Sequence, residues 1–180
     1  MNIQQIQSKL EEQEKIKKAK KQMLSLFITS SSILFGFLIF VWLILNTPTL
    51  FLPKIYKWNT FIILISSIIL HESIKSIKKD QRTKTIMLFV VSLCLGITFL
   101  SIQWIGWEAF QSSNVNKTNI IYPFAFAHFI HVVIALLLLI VIFINILRYN
   151  IHSKAIYFAK IGERFWHFLG LIWLVFVLIS

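Results

Sequence analysis

His71, Glu72, Glu108, His128, His131, Glu163 and His167 are titratable side chains that this sequence sets within or beside long uncharged runs. An imidazole or carboxyl taken out of water costs free energy unless it finds a partner, so each needs a reason to be there. His128 and His131 are three apart and share one face of a helix. That suits a pair of metal or haem ligands, or a joint that hydrogen-bonds neighbouring helices. Glu163 and His167 are four apart and also share a face, while His71 stands beside Glu72. Carboxylates next to imidazoles can exchange protons, because histidine changes charge close to working pH.

The elements that position these groups have to cross a membrane. The chain is 57% hydrophobic, against about 45–50% apolar residues in soluble domains. Met23–Leu45 and Thr85–Trp107 are uncharged runs, each long enough to span a hydrocarbon core of roughly 30 Å. Further spans are expected over about 57–77, 122–147 and 161–180, and the third extends to about 108. Alternation of period two is absent, and open β-structure is not tolerated in lipid. The expected fold is all-α, a polytopic bundle of five transmembrane helices over 23–180. A charged, helical, cytoplasmic segment at 1–22 precedes it, with Ile3, Ile6 and Leu10 on one face. That segment is too charged, and the run after it too long, for a secretory signal.

Charge sets the direction. Of the 18 Lys and Arg, 15 lie before the first span or in the second-to-third and fourth-to-fifth connections. Lys54, Lys57 and Lys117 lie on the other side. The excess of basic residues on cytoplasmic loops therefore places the N-terminus inside and the C-terminus outside. The net charge of +11 is accounted for in the same way, and a nucleic-acid partner is not expected.

Orientation sorts the polar groups into two layers. His128 and His131 lie in the outer third of the fourth span, level with Glu108, Trp104 and Trp107 at the end of the third. His71 and Glu72 end the second span at the inner side, where Glu163 and His167 begin the fifth. A bis-histidine haem at the outer level lacks a facing histidine. His71 and His167 are displaced by half a membrane or more, counting about 1.5 Å per residue. His128, His131 and Glu108 are thus read as interhelical hydrogen-bonding groups, and no metal or cofactor is expected on this chain. The inner four, His71, Glu72, Glu163 and His167, are read either as a proton-collecting antenna or as interfacial groups beside Arg164, which reaches to water. Cys94 is alone, so neither an internal disulfide nor a cysteine metal site is expected. There is no nucleotide loop, Ser-His-Asp order or CxxC, and nothing that would let the chain catalyse a reaction by itself. A transporter would need glycine or proline at mid-membrane. Pro48 and Pro53 instead fall in a loop, and Pro123 at a helix end. A b-type haem protein would show its own Soret band.

Two stretches carry a family resemblance. "AHFIHVVIALLLL" resembles the H-x-x-H-V signature of cytochrome c oxidase subunit III, and "FWHFLGLIWLVF" resembles that family's last helix, through Trp166, His167, Phe168 and Trp173. "LFITSSSILFG", "WNTFIILISS" and "SIQWIGWEAF" are similar to other family segments, in the same order. The match is to the short, five-helix form, without the first two helices that help build the family's lipid cleft. The family's membrane-buried glutamate falls on Ser31, and the acidic residue after W-H-F falls on Gly170.

The resemblance implies an accessory subunit with no haem or copper of its own. It would pack beside the haem- and copper-bearing catalytic subunit I of a proton-pumping terminal oxidase, among other respiratory subunits and membrane lipids. It would support proton uptake in aerobic respiration at the bacterial cytoplasmic membrane. Trp166 and His167 join the interhelical contacts on this reading. Subunit III-like chains of quinol oxidases or nitric oxide reductases are the alternative, since the electron donor binds elsewhere.

Overall fold

The computed structural model describes residues 3–45, 54–112, 121–148 and 156–179. They form five α-helices, α1 (Ile3–Leu45), α2 (Lys54–Lys78), α3 (Arg82–Ser112), α4 (Ile121–Leu147) and α5 (Tyr157–Ile179), and no strand appears among the described residues. Each helix contains a stretch of 20 to 27 residues long and apolar enough to cross a membrane. The expected all-α, five-span architecture is what the chain adopts.

The chain divides into two compact units, Met1–Phe40 and Val41–Ser180. In the first, α1 runs unbroken from the charged segment into the apolar run. Its serines and threonine look after themselves. Thr29 donates to Ser25 O, Ser30 and Ser31 to Phe27 O, and Ser32 to Ile28 O, at 2.8–3.0 Å. Hydroxyls bonded back to the preceding turn let a polar run sit in an apolar helix.

In the second unit α2 packs against α3 and α5, and α4 against the same two, closing a ring of four antiparallel helices. The α2–α3 seam follows a repeat of seven. Along α2, Tyr56, Ile63, Leu70 and Ile77 alternate with Asn59, Ser66 and Ser73, and all are buried. Along α3 the buried series is Thr85, Phe89, Ser92, Gly96, Phe99, Gln103 and Gly106. These are the three-then-four spacings that wind two helices into a left-handed supercoil. The polar members pair across the seam. Asn59 Nδ2 donates to Phe99 O at 3.1 Å, Ser66 Oγ to Ser92 O at 3.1 Å and Ser73 Oγ to Thr85 O at 3.0 Å. Ser92 Oγ returns a bond to Ser66 O at 3.3 Å.

The two helices are joined by a tight turn. Asp80 takes φ of 52°. The amides of Asp80 and Gln81 donate to Ile77 O and Ser76 O, both at 3.1 Å. This is the left-handed cap that ends a helix and satisfies its last carbonyls. At the same end of the bundle Arg82 Nη2 donates to Leu147 O at 3.0 Å, tying the start of α3 to the end of α4.

The ring's interior is filled by large side chains from three helices. Phe99, Phe124, Phe165, Trp166, Trp173 and Phe176 are each at most 1% exposed. Close approach of the helices depends on glycine at two of these levels. A Cβ on Gly96 would lie 2.9 Å from the Trp166 ring, and one on Gly162 would overlap Ile142 Cδ1. The outward faces carry Trp58, Phe61, Met87, Ile97, Phe126 and Leu171, all more than half exposed, as helices do when their solvent is lipid.

Candidate functional site

The chemistry-bearing cluster forms where α2 ends and α5 begins. Antiparallel packing of these helices, one turn away, sets Gly170 against Ser67. A Cβ at Gly170 would stand 3.6 Å from Ser67 Oγ, in ordinary contact. With α2 and α5 this close, His71 and Glu163 meet. His71 Nδ1 lies 2.5 Å from Glu163 Oε1. His167, one turn along α5, places Nε2 at 3.7 Å from the same oxygen. The two imidazoles stand edge to face with centroids 6.1 Å apart. One carboxylate is thus flanked by two rings from two helices.

Exposure differs within the trio. The Glu163 side chain is 11% exposed, His71 51% and His167 39%. A shielded carboxylate therefore faces outward through two half-open imidazoles. Such a set can pass a proton between bulk and interior, or hold a cation in the proton's place. Glu72, expected beside these groups, points elsewhere. Lys75 Nζ holds its carboxylate at 2.6 Å, so it belongs to the surface of α2.

At the opposite end of the bundle the expected outer group is arranged mainly by ring packing. His128 is fully buried. Its ring stacks on Trp173 of α5 at 5.3 Å and meets Phe99 of α3 edge-on at 6.3 Å, so one histidine from α4 touches two other helices. His131 Nδ1 is 2.7 Å from Ala127 O in its own helix. Glu108 accepts from Trp104 Nε1 at 2.9 Å, also within one helix. Trp166 is wholly buried and reaches α3 through its ring against Gly96. Its Nε1 has no hydrogen-bond partner among the described residues.

Reading residue types in isolation passed over Asn59, Ser66, Ser73 and Ser92, which make hydrogen bonds across the α2–α3 seam. The signal that finds them is their spacing of seven within apolar runs. Gln103, also missed, is buried, and with Tyr56, Trp104, Trp107, Phe126 and Trp173 lines a cavity of about 250 Å³ near the His128 end.

Comparison with known proteins bears on α2–α5, the helices that build both clusters. Residues 47–180 match the family described as Cytochrome c oxidase subunit III. A protein named cytochrome c oxidase subunit 3 from Thermostichus vulcanus is 27% identical over 170 residues, covering 84% of this chain and 81% of that one. A protein of the same name from Petromyzon marinus is 26% identical over 118 residues, 64% of this chain and 45% of the relative's length.

Proposed function

The chain belongs to the cytochrome c oxidase subunit III family, and from that premise we propose that it is the cofactor-free accessory subunit of a proton-pumping haem-copper terminal oxidase. In this reading it packs beside subunit I in a bacterial cytoplasmic membrane, with the N-terminus inside, and the haems and copper belong to its partners. The single observation that carries it is the family match, which takes in the whole of α2–α5. The packing around His128 supports it. Phe99 of α3 and Trp173 of α5 both press on that ring, so this side chain of α4 joins three helices. His128, His131, Glu108, Trp166 and His167 serve as fixtures within and between helices.

The finer role rests on His71, Glu163 and His167. The basic asymmetry of the loops supports an inner-face position for this cluster, the side where protons enter this class of enzyme. A proton arriving at His71 can pass to Glu163 over 2.5 Å, and one arriving at His167 through a water that bridges the 3.7 Å to the same oxygen, and each can return to the local surface. The group thus acts as a buffer that keeps an inlet supplied. Glu72 contributes as a surface acceptor paired with Lys75.

Native purification through a tag on this chain tests membership. Haem-bearing subunits and oxygen consumption should co-purify, and oxidation of cytochrome c or of quinol then identifies the donor. Glu163→Gln combined with His167→Phe tests the buffer. Turnover should fall most at alkaline pH, where free protons are scarce, while haem content stays unchanged. A rate-against-pH curve that overlays the unmutated complex would leave these residues with a structural role alone.

A further inference from the structure

We propose that His71, Glu163 and His167 form an exchangeable site for a divalent transition cation of the zinc class, spanning α2 and α5. Their donor atoms, two imidazole nitrogens and one carboxylate oxygen, all lie within 4.8 Å of one another. Zinc bonds of 2.0–2.1 Å in a tetrahedron set its ligand atoms roughly 3.3–3.4 Å apart. The Glu163–His167 separation of 3.7 Å is close to that edge. The His71–Glu163 separation of 2.5 Å is that of a hydrogen bond, with one proton between the two atoms. A cation replaces that proton and draws the pair apart by less than about 1 Å to reach the tetrahedral edge. His71 has the freedom to move, since half of its side chain is exposed.

The rest of the surroundings suits a loosely held ion. Glu163 and His167 are fixed on consecutive turns of α5, and Ser67 and Gly170 set the α2–α5 distance one turn away. The carboxylate is shielded, so its charge is a strong local attraction for a cation. The two imidazoles open to solvent leave the fourth position to water, as in zinc sites with three protein ligands. Two nitrogen donors select zinc, copper or nickel over magnesium and calcium, which prefer oxygen. Lys75 holds Glu72 aside, so the site has one carboxylate rather than a general acidic field. Each ligand is also a proton carrier in the buffer proposed above. An occupied site therefore slows proton exchange, and this last consequence rests on that reading, whereas binding does not.

The test uses the purified intact complex and zinc chloride. Equilibrium dialysis with labelled zinc should show one saturable site that weakens by at least about tenfold in His71→Gln and Glu163→Gln, the least expected for loss of a direct ligand. His71→Cys, which supplies a thiolate instead, should restore binding and keeps the test meaningful if His71→Gln assembles poorly. Glu72→Gln should leave the affinity unchanged. Equal affinity in all variants, or a loss in Glu72→Gln as large as in His71→Gln, overturns the site. Site-specific binding that leaves oxygen consumption unaltered supports the site and overturns the proton buffer.

Discussion

Replacing Gly106 by alanine should weaken the bundle, although alanine is the better helix former. A Cβ at Gly106 falls 2.5 Å from Tyr56 Cζ and Oη and 2.6 Å from Cε1. Carbon atoms settle at about 3.5–4.0 Å, so the ring has to move by about 1 Å. Tyr56 is 6% exposed and meets Trp173 edge-on at 5.4 Å. The adjacent cavity offers some room, but moving into it gives up that ring contact. Overpacking of this kind costs about 1–3 kcal/mol. The gain from glycine to alanine in a helix offsets about 0.5–1 kcal/mol of that. The net expectation is a loss of about 0.5–2 kcal/mol. For a chain of this size that corresponds to a fall in Tm of very roughly 1–8 °C, read by thermal denaturation of the purified complex. Gly36 is the control, because nothing lies within 4 Å of its added Cβ, and Gly36→Ala should be neutral or stabilising. In a Tyr56→Ala background, Gly106→Ala should cost nothing. If Gly106→Ala matches Gly36→Ala in the unmutated background, Tyr56 does not pack against α3 as described.

The reciprocal bonds between Ser66 and Ser92 predict a double-mutant coupling, Ser66→Ala against Ser92→Ala, of about 0.6 kcal/mol in membrane surroundings. Unfolding in mixed micelles measures it, and strict additivity would contradict the pairing. With Cys94→Ala as background, Lys57→Cys should react with an impermeant thiol reagent from outside intact cells and Asp80→Cys only after the inner face is opened. The opposite pattern would invert the orientation drawn from the basic residues.

The five spans were legible because lipid asks one simple thing of a sequence, a long uncharged helix. Their ends were less so. α2 begins at Lys54 and α5 at Tyr157, before the expected 57 and 161. Long basic side chains such as Lys57 and Lys160 can stay helical while their charges reach water. Counting residues along the spans put His71 at the level of Glu163 and His167, and the packing of α2 on α5 sets the three side by side. Azimuth did not follow from counting. That Glu72 turns to Lys75, and that His131 and Glu108 bond within their own helices, depends on which neighbour each face meets. The serines show the same limit. Ser31 and Ser66 both sit in apolar runs, yet one bonds its own helix and the other crosses to α3.

The α2–α3 seam also bears on how the protein is made. Asn59, Ser66 and Ser73 donate across to α3, and the turn that joins the two helices is only three residues long, Lys79–Gln81. A short connection with an antiparallel polar register favours insertion of the pair as one hairpin, in which these donors reach α3 rather than turn back on carbonyls of their own helix. A slip by one helical turn would part all three donors from these acceptors together. The meeting of Glu163 with His71 then depends on α5 packing against an α2 whose register is fixed by α3.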